Sequence, residues 1–267
     1  MRSPAYPVKN FMYNEIIKTI KLTITDYEAG HTCGFWKAPI IEIISVNNEK
    51  LKTLKNTVST DHLNPCDILP DAKSIICFFI PFCENIVTSN ISGIMASKEW
   101  VEIYIKTNNL IKIINDNIES LMADNGYKTG KIPATHNFDE KLLISNWSHR
   151  HIGHIAGIGT FGINNMLITE NGCCGRLGSI IINYEFSEYK KIPEMKEKCL
   201  YKLNGSCGIC QKHCTVNAYE NNSFNRFKCY KQCLKNAEKY KEIGYGDVCG
   251  KCLVGLPCST IKPKELR

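Results

Sequence analysis

The cysteine pattern of the last third of the chain constrains its fold more than any other feature. Nine of the fifteen cysteines lie between Cys199 and Cys258, in a chain of 267 residues. The N-terminal residues contain no apolar stretch of the kind that a secretory signal needs, so we expect a cytoplasmic protein whose thiols stay reduced. In such a compartment this many cysteines indicates metal binding or catalysis rather than a disulfide framework.

These cysteines include two irregular copies of one pattern. Each copy is a ferredoxin quartet, C-x2-C-x2-C-x3-C-P in its regular form, whose first cysteine lies further upstream. The final proline of each quartet is replaced, by Thr215 and by Ser259. The two copies are Cys199-x7-Cys207-x2-Cys210-x3-Cys214 and Cys229-x19-Cys249-x2-Cys252-x5-Cys258.

The order of the two copies predicts two [4Fe-4S] clusters with interleaved ligands. In two-cluster ferredoxins the fourth cysteine of each run binds the cluster of the other run. Neither cluster can then form unless both halves of the segment fold together, so we expect this part of the chain to depend on iron for its stability. The predicted ligands are Cys199, Cys207, Cys210 and Cys258 for the first cluster, and Cys214, Cys229, Cys249 and Cys252 for the second.

Three points about the cysteines stay open. Cys233 lies four residues after Cys229 on one face of a predicted helix, so either could be the ligand, although we prefer Cys229 because it leads its run. Structural zinc also uses C-x2-C pairs in fours, and it would make the segment a nucleic-acid-binding module. The formal charge of +7 is a weak argument for that module, because two oxidised clusters would lower it to roughly +3. Cys173 and Cys174 are either redox-active or incidental thiols of a tight turn.

Upstream of the cysteine-rich segment, strand-like and helix-like stretches alternate up to about residue 187. The longest apolar run, residues 74–82, predicts a buried strand and is too short to cross a bilayer. The alternation favours a layered α/β or α+β domain over residues 1–187, followed by a cysteine-rich domain over residues 188–267. The other predicted elements are helices at 11–27, 97–124 and 140–155, and strands at 35–46, 166–170 and 176–186.

A glycine loop and a group of histidines lie in the middle of the chain. Residues 157–162 match G-x-G-x-x-G, but a helical stretch precedes them and a strand follows, so we reject a dinucleotide-binding fold. The glycines instead let the backbone pass close to a large ligand or a neighbouring strand. His149, Arg150, His151 and His154 either contact an anionic or corrin-type ligand or are satisfied surface residues. The predicted cofactor-binding residues are His149, Arg150, Gly157, Gly159 and Gly162.

Four segments together resemble a known family, the iron-sulfur and cobamide proteins that include epoxyqueuosine reductase and the reductive dehalogenases. The resemblance covers most of the chain, and the joint order of the segments carries it. These segments are DILPDAKSIICFFIPF at 67–82, SKEWVEIY at 97–104, SNWSHRHIGHIAGIGTFGINNMLITENGCCGRLGSIIINYEF at 145–186, and CGKCLVGLPCS at 249–259.

The resemblance implies a nitroreductase-like α/β domain that holds a base-off cobamide (cobalamin) against its sheet, followed by a ferredoxin-like module that passes electrons to the cobalt. The implied function is an iron-sulfur oxidoreductase supplied by a low-potential donor of the ferredoxin or flavodoxin type. An electron-transfer or redox-sensing protein without its own reaction is the alternative.

Two departures from the family pattern affect what the resemblance implies. Asn146 lies in the region where epoxyqueuosine reductases have an acidic proton donor, so that catalytic role is in doubt and the catalytic residues are unknown. The sequence ends nine residues after Cys258. We therefore expect no helical-repeat domain for grasping tRNA, and tRNA is not an expected partner.

Overall fold

The computed structural model describes residues 11–29, 34–134, 136, 138–220 and 223–263. Within these residues two short 3-10 helices, Glu49–Thr53 and Lys241–Ile243, accompany the regular elements. The helices are α1 (Phe11–Glu28), α2 (Leu54–Thr57), α3 (Pro65–Ile68), α4 (Glu84–Ser89), α5 (Lys98–Asp124), α6 (His149–Ile155), α7 (Leu200–Asn204), α8 (Ile209–Lys212) and α9 (Arg226–Lys239). The strands are β1 (Ile40–Ser45), β2 (Ser74–Pro81), β3 (Thr129–Lys131), β4 (Thr160–Phe161), β5 (Leu167–Ile168), β6 (Gly175–Ile182), β7 (Tyr219–Glu220) and β8 (Ser223–Phe224).

A four-stranded sheet in the order β1-β2-β6-β3 forms the centre of the molecule, and every neighbouring pair is antiparallel. All residues of β2 are buried. Its alternate side chains enter two hydrophobic cores: Ile76 and Phe78 pack with α1 and α5, whereas Ile75 and Phe79 pack with α6. Burial on both faces explains why the apolar run of β2 is continuous. Of the two expected architectures the structure has the α+β one, because the sheet contains no parallel pair in the described residues.

Helix α5 confirms the strongest helix prediction. The Ser97 side chain caps it by accepting a hydrogen bond from the Trp100 backbone N–H at 3.1 Å. Its buried face recurs every three or four residues through Ile111 and Ile118. The helix ends at Asn125, and Gly126 follows with φ +79°, a left-handed conformation that glycine adopts at low cost.

Two predicted elements upstream of the glycine loop are shorter than expected. The predicted helix over 140–155 is wrong in its first half, because an antiparallel bridge joins Asp139 to Ile144 and Leu143 has φ +53°. The Asp139 carboxylate accepts the backbone N–H groups of Lys141 and Leu142, which favours a turn over a helix. The helix begins after Ser148, whose side chain caps α6. The predicted strand at 35–46 is likewise restricted to β1.

The order of helix and strand around the glycine loop differs from that of a dinucleotide-binding fold. Helix α6 lies before the glycine loop. Strand β4 lies inside the loop and pairs antiparallel with β5. The predicted strand over 166–170 is limited to the two residues of β5. The structure also shows why glycines are needed here: a Cβ on Gly159 would lie 2.5 Å from the Ile168 carbonyl oxygen. The neighbouring strand, one of the two predicted reasons, therefore accounts for this glycine.

The cysteine-rich part consists of short helices, the β7-β8 hairpin and α9, and it packs on the α+β part. Leu253 and Val254 belong to the same core as α1, α5 and β2. The Cys173 backbone N–H donates to the Cys258 carbonyl oxygen at 2.8 Å, which ties the turn before β6 to the C-terminal loop. The domain boundary at residue 187 and the nitroreductase-like and ferredoxin-like layout stay predictions. Among the described residues, no helix is long and apolar enough to span a membrane.

Candidate metal centre

The first predicted ligand set lies around one cleft. Cys199 precedes α7 and Cys210 lies in α8, so two short helices and the turn between them supply three thiols. The fourth reaches the cleft from the C-terminal loop. The cleft contains about 350 Å³ of empty space, part of it open to solvent. The cysteines that line it are Cys199, Cys207, Cys210 and Cys258.

The thiols of this set affect one another's protonation. Burial, followed by the charges of the Cys258, Cys199 and Cys207 sulfurs, raises the pKa of Cys210 to about 12. Like charges that are close together disfavour the thiolate forms. Four thiolates in this cleft therefore need a positive group among them, and a cationic iron-sulfur core would supply it.

The second predicted set is brought together in the same way. Burial raises the pKa of Cys252 to about 12, and the neighbouring sulfurs of Cys229, Cys249 and Cys214 contribute to the shift. The Cys249 thiol has its pKa raised by burial and by Cys229 and Cys214. The backbone N–H of Ala218 donates to the Cys214 sulfur at 3.2 Å. Such N–H···S bonds are common around iron-sulfur clusters, where they stabilise thiolate ligands.

Cys229 and Cys233 lie side by side on α9. A hydrogen bond from Cys233 lowers the pKa of Cys229, whereas the same contact raises the pKa of Cys233. Cys229 interacts with both Cys249 and Cys252. The further neighbours of Cys233 are Cys249 and the carboxylate of Asp247. Cys229 thus interacts with two further members of the second set and Cys233 with one, and Cys229 stays the predicted ligand.

The structure shows no ready site for a single metal ion among these thiols. Within the part of the chain that the structure describes, no group of three or more His, Cys, Asp or Glu side chains surrounds a point where one ion could bind. A tetrahedral zinc site needs its sulfurs at about 2.3 Å from one such point. The choice of iron-sulfur clusters over zinc stays a prediction.

Cys173 and Cys174 are buried against the centre rather than exposed in a turn. Cys174 raises the pKa of the Cys173 thiol, whereas the neighbouring Cys258 lowers it. The Cys174 thiol donates to the Leu253 carbonyl oxygen at 3.1 Å. Nothing in the spacing of the cysteines predicts these contacts, because Cys173 and Cys258 meet only through the packing of the C-terminal loop.

The predicted cofactor residues His149 and Arg150 have intramolecular partners. The His149 Nδ1 atom lies 2.8 Å from the Ser179 hydroxyl, and Nε2 lies 3.2 Å from the Pro133 carbonyl oxygen. Burial lowers the pKa of His149 to about 4. The exposed Arg150 guanidinium donates to the Asn165 carbonyl oxygen at 2.6 Å. Both nitrogens of His149 are therefore engaged by the protein itself.

Gly157 and Gly162, the other two glycines predicted to bind a cofactor, also lie too close to other residues of this chain for a side chain to fit. A Cβ on Gly157, which has φ +84°, would lie 2.9 Å from the Ile192 side chain. A Cβ on Gly162 would lie 2.6 Å from the Asn164 side-chain oxygen. Their assignment to a cofactor stays a prediction that these contacts do not support.

The region where the family pattern has an acidic residue contains no carboxylate aimed inward. Asn146 is exposed, and its backbone carbonyl oxygen accepts a hydrogen bond from the Leu63 backbone N–H at 2.8 Å. A buried carboxylate lies elsewhere: the Asp247 side chain is only 6% exposed and contacts His136 at 3.2 Å. It also accepts a hydrogen bond from the Tyr104 hydroxyl at 2.8 Å. No sequence motif predicts this arrangement.

Comparison with known proteins identifies the fold. No protein-family model matches the chain. No curated protein matches it either. A crystal structure of selenomethionine-labelled epoxyqueuosine reductase matches 96% of this chain and 68% of its own, with a TM-score of 0.55 at 18% identity. The chain has the fold of the epoxyqueuosine reductases.

Further structures with this fold match to a similar extent. Epoxyqueuosine reductase from Streptococcus thermophilus matches 97% of the chain and 69% of its own length, with a TM-score of 0.53 at 17% identity. A third epoxyqueuosine reductase, solved with an epoxyqueuosine-modified tRNA stem loop, matches 96% and 68%, with a TM-score of 0.54 at 19% identity. The resemblance seen in the sequence is confirmed at the level of the fold.

Proposed function

We propose that this chain is an iron-sulfur oxidoreductase with two [4Fe-4S] clusters, similar to epoxyqueuosine reductase. The single observation that carries the proposal is the arrangement of eight thiols in two interleaved sets. Cys210 lies among the other three members of the first set, and Cys252 among the other three of the second. The fold shared with known reductases supports the proposal.

The clusters would supply one-electron transfer, and cysteines of this chain would hold them. Cys199, Cys207, Cys210 and Cys258 would hold the first, and Cys214, Cys229, Cys249 and Cys252 the second. The electrons would come from a low-potential donor of the ferredoxin or flavodoxin type and go to a cofactor or substrate in the α+β part. A base-off cobamide is the cofactor that the family resemblance implies. The contacts of His149 and Arg150 do not support this cofactor, because both side chains bind to other residues of the chain. A cytoplasmic location and the absence of tRNA from the partners stay predictions.

Iron counting tests the proposal. The protein is reconstituted without air with iron and sulfide, and iron, sulfide and zinc are then measured per chain. We expect about eight irons and eight sulfides, since each cluster holds four of each, and a broad brown absorption band. A yield of one or two zinc ions with no bound sulfide would instead support the zinc-binding module.

Cobalamin titration separates an enzyme of this family from a pure electron carrier. The reconstituted protein is titrated with cobalamin while its visible spectrum is recorded. A saturable spectral change would support a cobamide-dependent reductase. An unchanged spectrum would leave the chain as an electron-transfer or redox-sensing protein, or as a reductase that acts on its substrate without a cobamide.

A further inference from the structure

Tyr219 lies between the two sets of thiols. It follows Ala218, whose N–H donates to the Cys214 sulfur, and it begins the β7-β8 hairpin. Its ring packs on Phe224, with 5.0 Å between ring centroids, which fixes the direction of the side chain. The sulfurs of Cys252, Cys210 and Cys229 all influence its hydroxyl, so this group faces members of both sets.

The hydroxyl of Tyr219 has no hydrogen-bond partner. Its oxygen is fully buried and forms no hydrogen bond with any atom of the described residues. Among the sulfurs that influence this hydroxyl, that of Cys252 has the largest effect. A buried hydroxyl without a partner is destabilising, so a donor held here is expected to have an acceptor in the working protein. A thiolate that binds iron is such an acceptor, because it carries negative charge.

We propose that Tyr219 donates a hydrogen bond to the Cys252 sulfur and thereby raises the reduction potential of the second cluster. The inference rests on the proposed function, and it assigns to Tyr219 a tuning role that acts through Cys252. Reduction adds one electron to the cluster and increases the negative charge on its sulfurs. A hydrogen-bond donor stabilises the reduced state more than the oxidised state, and hydrogen bonds to the sulfurs are among the factors that set such potentials.

The experiment is a redox titration of Tyr219→Phe. This substitution removes only the hydroxyl and keeps the ring that packs on Phe224. The reconstituted wild type and variant are titrated without air, and the reduced clusters are followed by electron paramagnetic resonance. We expect the midpoint potential of one cluster to fall and that of the other to stay. A tenfold fall in the equilibrium constant for reduction would be ~59 mV for a one-electron couple.

The matched control is Tyr240→Phe. The Tyr240 hydroxyl donates to the Ala96 carbonyl oxygen at 2.9 Å, so the control removes the same atom from the same part of the chain without touching a sulfur. Both midpoint potentials should match those of the wild type in this variant. Equal potentials in Tyr219→Phe and the wild type would overturn the inference, as would equal shifts in both variants.

A second measurement looks for the donated hydrogen itself, and its negative outcome needs only the wild type. The wild type is exchanged into deuterated water, reduced and studied by electron-nuclear double resonance. We expect a deuteron coupled to the second cluster that the Tyr219→Phe spectrum lacks. A wild type without bound iron would refute the proposed function, whereas a fully loaded wild type without this deuteron would refute only the role of Tyr219.

Discussion

At the scale of single residues, Cys229 and Cys233 differ in the groups that surround their thiols. Cys229 and Cys233 are one helical turn apart, and sequence spacing treats them as equivalent. Cys252 interacts with Cys229, whereas the Asp247 carboxylate influences Cys233, and the choice of Cys229 as the ligand stays a prediction. A carboxylate next to a thiolate ligand is unfavourable, since both are negative.

The pair gives the first prediction. Cys229→Ser should lower the iron content of the reconstituted protein from about eight to about four atoms per chain, because the second set loses a thiolate ligand. Cys233→Ser is the matched control and should retain about eight. Iron and sulfide analysis measures both. Loss of iron in the Cys233 variant with full loading of the Cys229 variant would make Cys233 the ligand.

At the scale of elements, helix α6 has two partly buried histidines, His149 and His151, whose pKa values are low. Burial, followed by the charges of Arg150, His62 and His154, lowers the pKa of His151 to about 4. Its Nδ1 atom lies 2.7 Å from the Ser148 hydroxyl that caps the helix, and its ring packs on Phe161. Protonation of His151 would therefore disturb the start of α6.

The second prediction concerns the pH dependence of stability. The folded-state pKa of His151 is about 4 and the unfolded value is about 6.5, so the unfolded chain binds the proton more readily. This contribution to the free energy of unfolding is fully present above pH ~6.5 and is lost as the pH falls toward 4. His151→Gln should therefore lose less stability between pH 7 and pH 5 than the wild type. Urea unfolding of both proteins at the two pH values measures the difference, and equal losses would contradict the prediction.

Helix α5 and the loop between Cys249 and Cys252 meet at Gly250. This glycine has φ +72°, and a Cβ on it would overlap the indole ring of Trp100. The close approach brings the backbone of the second thiol set directly onto the long helix. Trp100 is buried, so its ring has no open space into which to move.

The third prediction compares Gly250→Ala with Gly126→Ala. Gly126 has φ +79° but open space around it, so its substitution should cost only the left-handed backbone strain, about 1–2 kcal/mol. Gly250→Ala adds overpacking against Trp100 and should cost about 1–3 kcal/mol more. Urea unfolding of the reconstituted proteins measures both free energies. Equal costs at the two positions would show that the loop moves away from Trp100 without penalty.

At the scale of the whole molecule, the two predicted thiol sets are interleaved along the chain. The first would take Cys258 from the C-terminal loop, and the second would take Cys214 from the turn after α8. The Cys173 backbone and thiol both contact Cys258, which joins the first set to the central sheet. Loss of either cluster should therefore weaken the packing of the segments that carry the ligands of both sets.

The fourth prediction tests this dependence. Cys207→Ala and Cys249→Ala should each remove one cluster, about four irons, and should also reduce occupancy of the other. The melting temperature should fall in both variants because metal binding contributes to folding here. Iron analysis and thermal unfolding measure the effects. Full occupancy of the remaining cluster in either variant would show that the two sets form independently.

Much of the molecule follows from local sequence, and the rest depends on tertiary contacts. The periodicity of α5 and the continuous apolar run of β2 predict these elements because their patterns report burial directly. The predicted helix over 140–155 fails because the Asp139 side chain competes for the backbone N–H groups that a helix needs. Cysteine spacing predicts which thiols meet, but it contains no information about Tyr219 or Asp247. These side chains approach the centre only after the hairpin and α9 fold back over it.

The contact between Trp100 and Gly250 has an optical consequence. An indole packed on the loop that carries Cys249 and Cys252 lies within energy-transfer range of any coloured centre bound there. Its ultraviolet emission should be quenched while the centre is intact and should return when the iron is stripped. Tryptophan fluorescence would then follow assembly and air damage of the second cluster in real time, without any added dye.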